Sequence, residues 1–424
     1  MKPGYKRSDA GLIPADWAAH TVGQLIEFHG GSQPDKSFFS ATPRPGYVRL
    51  IQIRDYKSDK FEVFAPTALL RRFCHEDDIM IGRYGPPIFQ ILRGLTGAYN
   101  VALIKAKPCT AIDRDFAYYF LKQDSLFAFI EKLSRRSSGQ TGVDLVELRT
   151  YPLPLPPLPE QRAIAEALND ADALLGALDQ LIAKKRDLKQ AAMQQILTGQ
   201  TRLTGFAPVN PRFRQTDLGR YPSDWNLKRL GQLVDKSRSI RYGIVQPGKY
   251  DARGRLMIRG QDYSKGWVEP TEMFRVSDPI EERYRNARVR SGDLIITIVG
   301  AGTGTVESIP DWLNGANLTQ TTARIAIDGN EACSGFCKYI LQTKVGTQQV
   351  ASFIKGGAQP GLNCGDIEKF DIPMPTTVAE QTAIAEVLSD MDAELAGLEQ
   401  RREKTRAIKQ GMMQDLLPGR IRLV

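Results

Sequence analysis

From Leu168 the apolar positions Leu168, Ala171, Leu175, Leu178 and Ile182 step by three or four, and Leu388, Met391, Leu395 and Leu398 do the same. That spacing lays one apolar stripe along one side of a helix and predicts two long helices meeting along a coiled-coil seam. The two stretches are copies: residues 160–175 read EQRAIAEALNDADALL and residues 380–395 read EQTAIAEVLSDMDAEL. Lys185 and Lys189 interrupt the first stripe, Arg402 and Lys409 the second, and the pattern resumes at Met193 and Ile196 and at Met412 and Leu416. Gly199 and Gly419 stand where C-terminal caps belong, which gives helices of roughly 40 residues, on the order of 60 Å long.

Outside these stretches the pattern shortens to apolar runs of strand length that end at Gly or Pro, and it also recurs. KPGYKRSDAGLIPADW (2–17) matches NPRFRQTDLGRYPSDW (210–225), IQIRDY (51–56) faces IRGQDY (258–263), and DDIMIGRYG (77–85) faces GDLIITIVG (292–300). GQTGVDLVEL (139–148) and AQPGLNCGDI (358–367) come next, each followed by a Pro-containing link, PLPLP or DIPMP. The chain therefore reads as a tandem duplication of an α+β unit: a strand-rich mixed domain, an extended link and a long helix. The expected boundaries are a first domain over 1–151, a stiff Pro-rich connector over 152–159, a helical segment over 160–204, a second domain over 210–373 and a second helical segment over 376–424.

Charge fixes how the helices pair. Glu160, Glu166, Asp170, Asp172 and Asp179 precede Lys184, Lys185, Arg186 and Lys189; Glu386, Asp390, Asp392, Glu394 and Glu399 precede Arg401, Arg402, Lys404, Arg406 and Lys409. Parallel pairing sets like charges together, whereas antiparallel pairing lays each acidic half along a basic half. The helix dipole also favours acids first and bases last, but its influence fades within a turn and these blocks run for several. An antiparallel coiled coil with a domain at either end and a pseudo-twofold axis is expected.

Composition narrows the chemistry. The 424 residues are 42% hydrophobic and 25% charged, as in proteins with real cores. No apolar run reaches the roughly 20 residues that span a bilayer and MKPGYKRSD lacks a signal-peptide core, so the expectation is a cytoplasmic protein without a membrane partner. The net charge of +9 favours a polyanionic partner, and the excess lies in 1–150 and 210–373 rather than in the helical segments. Cys74, Cys109, Cys333, Cys337 and Cys364 show no metal-ligand spacing and read as buried thiols; His20, His29 and His75 carry no catalytic pattern. GAGTGTV (300–306) lacks the Lys-Ser/Thr of a phosphate-binding P-loop, and YGPPIF (84–89) has Gly85 where an amino-methyltransferase needs Asp or Asn. No catalytic or metal site is expected.

Domain, helix, domain, helix, with the helices alike and the domain interiors different, resembles the specificity (S) subunit of type I restriction-modification systems. The resemblance rests on the twin PxxW starts (Pro14–Trp17, Pro222–Trp225), the strand entries at Asp78 and Asp293, the turns at Gln140 and Gln359 and the EQ-AIAE helices, and it covers almost the whole chain. It implies two target recognition domains, each reading one half of a split site in double-stranded DNA. It also implies helices that space the domains and dock methyltransferase (M) subunits, two in number, with restriction (R) subunits joining them. The chain itself would be a non-catalytic subunit; S-adenosylmethionine, ATP and Mg belong to its partners, which methylate adenine at N6 and cleave DNA. Half-site centres about one helical turn apart, about 34 Å, are common for paired domains.

Base edges are read by bidentate side chains and phosphates are held by cations. Residues of those types after strand ends or in Gly-bounded loops are Arg54, Arg83, Tyr84, Arg93, Tyr99, Asn100, Arg135, Arg136 and Gln140 in the first domain. In the second they are Arg259, Gln261, Lys265, Thr303, Asn317, Thr319, Gln320, Lys355 and Gln359. Two alternatives stay open: a scaffold that binds DNA without sequence preference, and a self-sufficient DNA-modifying enzyme.

Overall fold

The computed structural model describes residues 3–134, 142–210, 212–354 and 361–423. The chain forms two compact units, residues 1–179 with 400–424, and residues 180–399. Each holds one globular domain, half of one long helix and half of the other.

The long helices are Leu158–Ile196 and Val378–Leu416, 39 residues each. They end on glycines in the left-handed region: Gly199 at φ +66° and Gly419 at +74°, whose N–H groups donate to the carbonyls of Ile196 and Leu416. Space demands glycine as well, because a Cβ would come within 2.4 Å of Pro222 at Gly199 and within 2.7 Å of Pro14 at Gly419. Residues 197–204, expected within the first helical segment, accordingly form its cap and tail.

Both units show the antiparallel pairing that the charge blocks demand. In the first, Lys409 meets Asp172 and Arg402 lies 3.3 Å from Asp179. In the second, Lys189 meets Asp392, Arg186 meets Glu399, and Lys185 lies 2.7 Å from Glu394. The four cations that interrupt the apolar stripe are thus each held by an acid of the opposite helix. Leu168, Leu178, Ile182, Leu388 and Leu395 are buried in the seam; Ala171, Leu175, Met391 and Leu398 are half-buried.

In the first domain one antiparallel sheet has the order Ile26–Gly30, Leu103–Pro108, Ile79–Gly82, Gln90–Leu92, and a second has Phe64–Pro66, Tyr47–Ile51, Gly97–Tyr99, Phe73–Cys74. In the second domain the corresponding sheets are Arg241–Tyr242, Thr322–Ile325, Leu294–Thr297, Val306–Ser308, and Phe274–Val276, Arg255–Ile258, Asn317–Leu318. The second sheet of each domain contains one parallel pair, with Tyr99 opposite Ile51 and Leu318 opposite Ile258. The Pro-rich link is more than a spacer: Pro152–Leu155 pairs antiparallel with Ala18–Thr21, and Asp371–Met374 does the same with Asn226–Arg229. Proline is tolerated because these two-stranded ribbons have a free edge.

Each core takes in the end of a long helix. Leu416 and Leu417 pack with Trp17, Phe116, Tyr119 and Leu168 in the first unit, and Ile196 and Leu197 pack with Trp225, Phe336, Phe370 and Leu388 in the second. The thiols follow expectation only in part: Cys74 and Cys337 are buried, but Cys109, just after the strand Leu103–Pro108, is exposed. Among the described residues no helix is long and apolar enough to cross a membrane.

Candidate nucleic-acid interface

In the second domain three chain segments leave the sheets at one place. The Thr319 N–H donates to the Ile258 carbonyl at 3.1 Å, the Ile298 N–H to Thr321 at 2.8 Å, and the Gly243 N–H to Thr319 at 3.1 Å. A Cβ on Gly243 would stand 1.8 Å from the Leu318 oxygen, so this convergence requires glycine. Between the segments lies a groove of about 530 Å³ lined by Arg259, Gln261, Ser264, Thr319, Gln320 and Thr321, with Ile244 and Pro247 among its apolar wall residues.

Several groove residues are positioned by others. The buried Asp262 carboxylate accepts from Arg259 Nη2 at 2.7 Å and from its Nε at 3.1 Å, which fixes the guanidinium before any ligand arrives. Thr319 and Thr321 hydroxyls are 2.8 Å apart. Beneath them the Tyr263 hydroxyl lies 2.6 Å from Thr297 Oγ1, and burial pushes the Tyr263 pKa up, so the phenol stays neutral. Lys265 and Thr303 line an adjoining groove of about 640 Å³, where Thr303 Oγ1 donates to the Gly300 carbonyl.

The first domain repeats this frame with other side chains. The Asn100 N–H donates to Ile51, the Arg83 N–H to Ala102 and the Gly31 N–H to Leu103, and a Cβ on Gly31 would sit 1.9 Å from the Asn100 oxygen. Arg54 is exposed, with its guanidinium over the Phe61 ring, and the Arg83 guanidinium lies 5.2 Å from the Tyr84 ring centre. The buried Arg83 Nε has no hydrogen-bond partner among the described residues.

Four of the expected contact residues belong to the fold instead. Tyr99 is 1% exposed and its hydroxyl donates to the His29 carbonyl. Asn100 is buried and its Oδ1 accepts from the Ala102 N–H, shaping the turn. Asn317 is fully buried and donates to Glu281 Oε1 at 2.8 Å and to the Tyr284 carbonyl at 3.1 Å. Arg93 stacks on Tyr118 at 4.0 Å and donates to Asp115 and Asn169, tying the first long helix to its domain. Arg135, Arg136, Gln140, Lys355 and Gln359 lie outside the described residues. The reading of the sequence missed Ser264, Thr321 and the apolar wall; the TQTT run at 319–322 was the available signal.

It also missed a clamp that appears in both units. The repeated EQ pair is buried: Glu160 and Gln161 are 4% and 1% exposed, Glu380 and Gln381 3% and 1%. Glu160 accepts from Trp17 Nε1 at 3.0 Å and from Arg422, which also grips Asp16 at 2.8 and 2.9 Å. Glu380 accepts from Arg202, which also grips Asp224 at 3.0 Å. The hydrogen bonds to Glu160 and Asp16 hold the Arg422 guanidinium well above its ordinary pKa, and the same contact holds Asp16 low. Gln161 and Gln381 each donate to the proline carbonyl ahead of their helix. The signal was LTGQTRL (197–203) against LPGRIRL (417–423), a continuation of the repeat that relates the helices.

Two frames of one design are thus each fastened to a long helix by the same Arg–Glu–Asp clamp. The family model described as type I restriction modification DNA specificity domain matches twice, at residues 14–185 and 222–407. The chain belongs to this family. Among its specificity-family relatives, the type I restriction enzyme MjaVIII specificity subunit of Methanocaldococcus jannaschii is 24% identical over 99% of this chain and 96% of its own length. The EcoBI specificity subunit of Escherichia coli is 27% identical over 62% of this chain and 56% of its own. The S subunit of a type I system from M. genitalium shares the fold, with a TM-score of 0.61 over 99% of both chains at 16% identity. As a specificity-family chain, this protein carries its frame twice because the family domain is present twice.

Proposed function

We propose that each domain reads one half of an asymmetric bipartite site in double-stranded DNA through its convergent loop edge. The supporting observation is that two domains of like frame carry different side chains at matched places: Arg54 where the second has Gln261, Arg83 and Tyr84 where it has Ile298 and Val299, and Asn100 and Val101 where it has Thr319 and Gln320. Amides, hydroxyls and guanidinium groups are the side chains that discriminate base edges in the major groove. The groove's chemistry is that of hydrogen-bond recognition, so this chain serves as the non-catalytic member of an assembly with methyltransferase subunits, and with restriction subunits where these are present. The long helices set the spacer and offer the docking surface; N6-adenine methylation and ATP-dependent cleavage are the work of the partners.

Single-molecule methylome sequencing of cells expressing this chain with its methyltransferase partner, against cells lacking it, tests the reading. A bipartite N6-methyladenine motif that depends on the chain is the expected result. No new motif, with the partner folded and bound, would leave a scaffold without sequence preference. In the same assay Gln261→Ala and Gln320→Ala relax one half-site by about 1–3 kcal/mol per lost bidentate contact and leave the other unchanged.

A further inference from the structure

A second basic site stands in the second domain, away from the groove. The strands Arg241–Tyr242, Thr322–Ile325 and Leu294–Thr297 form one sheet, with Arg241 opposite Arg324 and Arg324 opposite Ile295. The groove begins where these strands meet Ile244, Thr321 and Ile298. At their other ends lies a separate cleft of about 560 Å³ whose lining includes Arg238, Arg241, Arg285, Arg288, Arg290 and Arg324.

Carboxylates account for only part of this charge. Arg238 takes both oxygens of Asp293 at 2.8 and 2.5 Å, Arg288 takes the buried Glu281 at 2.6 Å, and Arg285 reaches Glu282. Among the described residues Arg241, Arg290 and Arg324 have no ion pair. Arg324 is 3% exposed; its Nη atoms donate to the carbonyls of Ser239, Asn286 and Arg288, and its buried Nε has no partner. A buried guanidinium hydrogen-bonded only to carbonyls is a costly arrangement unless an anion completes it, and the nearby Asp293, both of whose oxygens are bonded to Arg238, offsets only part of the charge. Burial, with the cations Arg238, Arg241 and Arg290 close by, depresses its pKa against the opposing pull of Asp293.

The first domain supplies the internal comparison. There Lys105 occupies the place of Arg324 and Asp78 that of Asp293, and the two pair directly at 2.6 Å. In the second domain Arg238 has taken that carboxylate, leaving Arg324 without one. The duplicated frame alone does not call for an orphaned cation, so the second copy has departed from it in the direction of anion binding.

We infer that the cleft formed by Arg241, Arg290 and Arg324 binds a phosphate-bearing ligand, outside the base-reading groove and in the second domain only. Guanidinium forks suit phosphate oxygens, and the cleft volume suits a ligand of a few phosphate groups. The phosphate can come from a free polyphosphate or from a nucleic-acid backbone, and the inference does not depend on the bipartite-site reading.

The test uses the full chain and an Arg241→Ala/Arg290→Ala variant, both substitutions being of exposed side chains that leave the buried Arg324 in place. Inorganic tripolyphosphate is titrated calorimetrically, and a short duplex is titrated in parallel over a range of salt concentrations. The expected result is at least a tenfold loss of affinity in the variant at unchanged melting temperature. If the loss is in tripolyphosphate binding alone, the source is a free phosphate compound. If duplex affinity falls with a salt-dependence slope smaller by about 1 to 2, the source is the nucleic-acid backbone. Equal affinities of both proteins for both probes would overturn the inference, whereas the methylome motif could survive that result intact.

Discussion

A single arginine in each unit joins three parts of the chain that are far apart in sequence. Arg422 sits between Glu160 and Asp16 beside Trp17, and Arg202 between Glu380 and Asp224 beside Trp225. Removing one leaves a buried glutamate without its cation, so Arg422→Met should cost about 1–3 kcal/mol, less than breaking a fully buried pair because Arg422 keeps some solvent contact. Urea unfolding measures it; a cost below a few tenths of a kcal/mol would show the clamp to be incidental. A second residue prediction concerns Asp172, half-buried against Lys409 and Tyr119. Burial opposes its charge, but the hydrogen bonds from Lys409 and Tyr119 prevail and hold its pKa below the ordinary value. A carboxylate depressed in the folded state stabilises above its unfolded pKa and loses that contribution as pH falls through the folded one. Asp172→Asn should therefore be less stable than the parent protein above about pH 4, with the gap closing on further acidification; a gap that widens in acid contradicts the assignment.

At the scale of elements the paired helices combine an apolar seam with charged crossings. Lys189 meets Asp392, whose other oxygen accepts from Tyr339 at 2.8 Å, just as Lys409 meets Asp172 beside Tyr119. Lys189→Asp should cost about 1–2 kcal/mol through like-charge contact and Asp392→Lys a similar amount, while the double reversal recovers much of the loss. Unfolding of all four proteins completes the cycle, and additive losses would mean that the pair contributes nothing. If the helices set the spacer, inserting one helical turn in either should change the preferred spacer length in the methylated motif; an unchanged spacer refutes that role.

For the whole molecule the charge of +9 matters through DNA. Phosphate contacts release counterions, so affinity for a duplex should fall by roughly 10³ or more between 50 and 200 mM salt if about six or more phosphates are engaged. Filter binding at several salt concentrations reads the slope, and a flat response would remove DNA from the account. Legibility differed between the frame and the site. Periodicity and repetition made the helices, their antiparallel sense and the duplicated plan readable, because each rests on many residues whose spacing survives in one dimension. Of the expected contact residues, Arg259, Gln261, Thr319 and Gln320 line one groove, whereas Tyr99, Asn100 and Asn317 are buried and Arg93 is tied to Asp115 and Asn169, a difference that residue type alone does not announce.

What the sequence determined by itself is the duplicated α+β plan, the seam and the charge order that forbids parallel pairing, since these follow from local periodicity and Coulomb repulsion. Tertiary structure decided which polar side chains remain available. Burial and partner choice depend on contacts between distant segments: Arg422 closing on Glu160, Arg238 taking Asp293 from Arg324, and Gly243 admitting the backbone of Leu318. A residue's type states which bonds it can make; only the packed chain states which of them are already made.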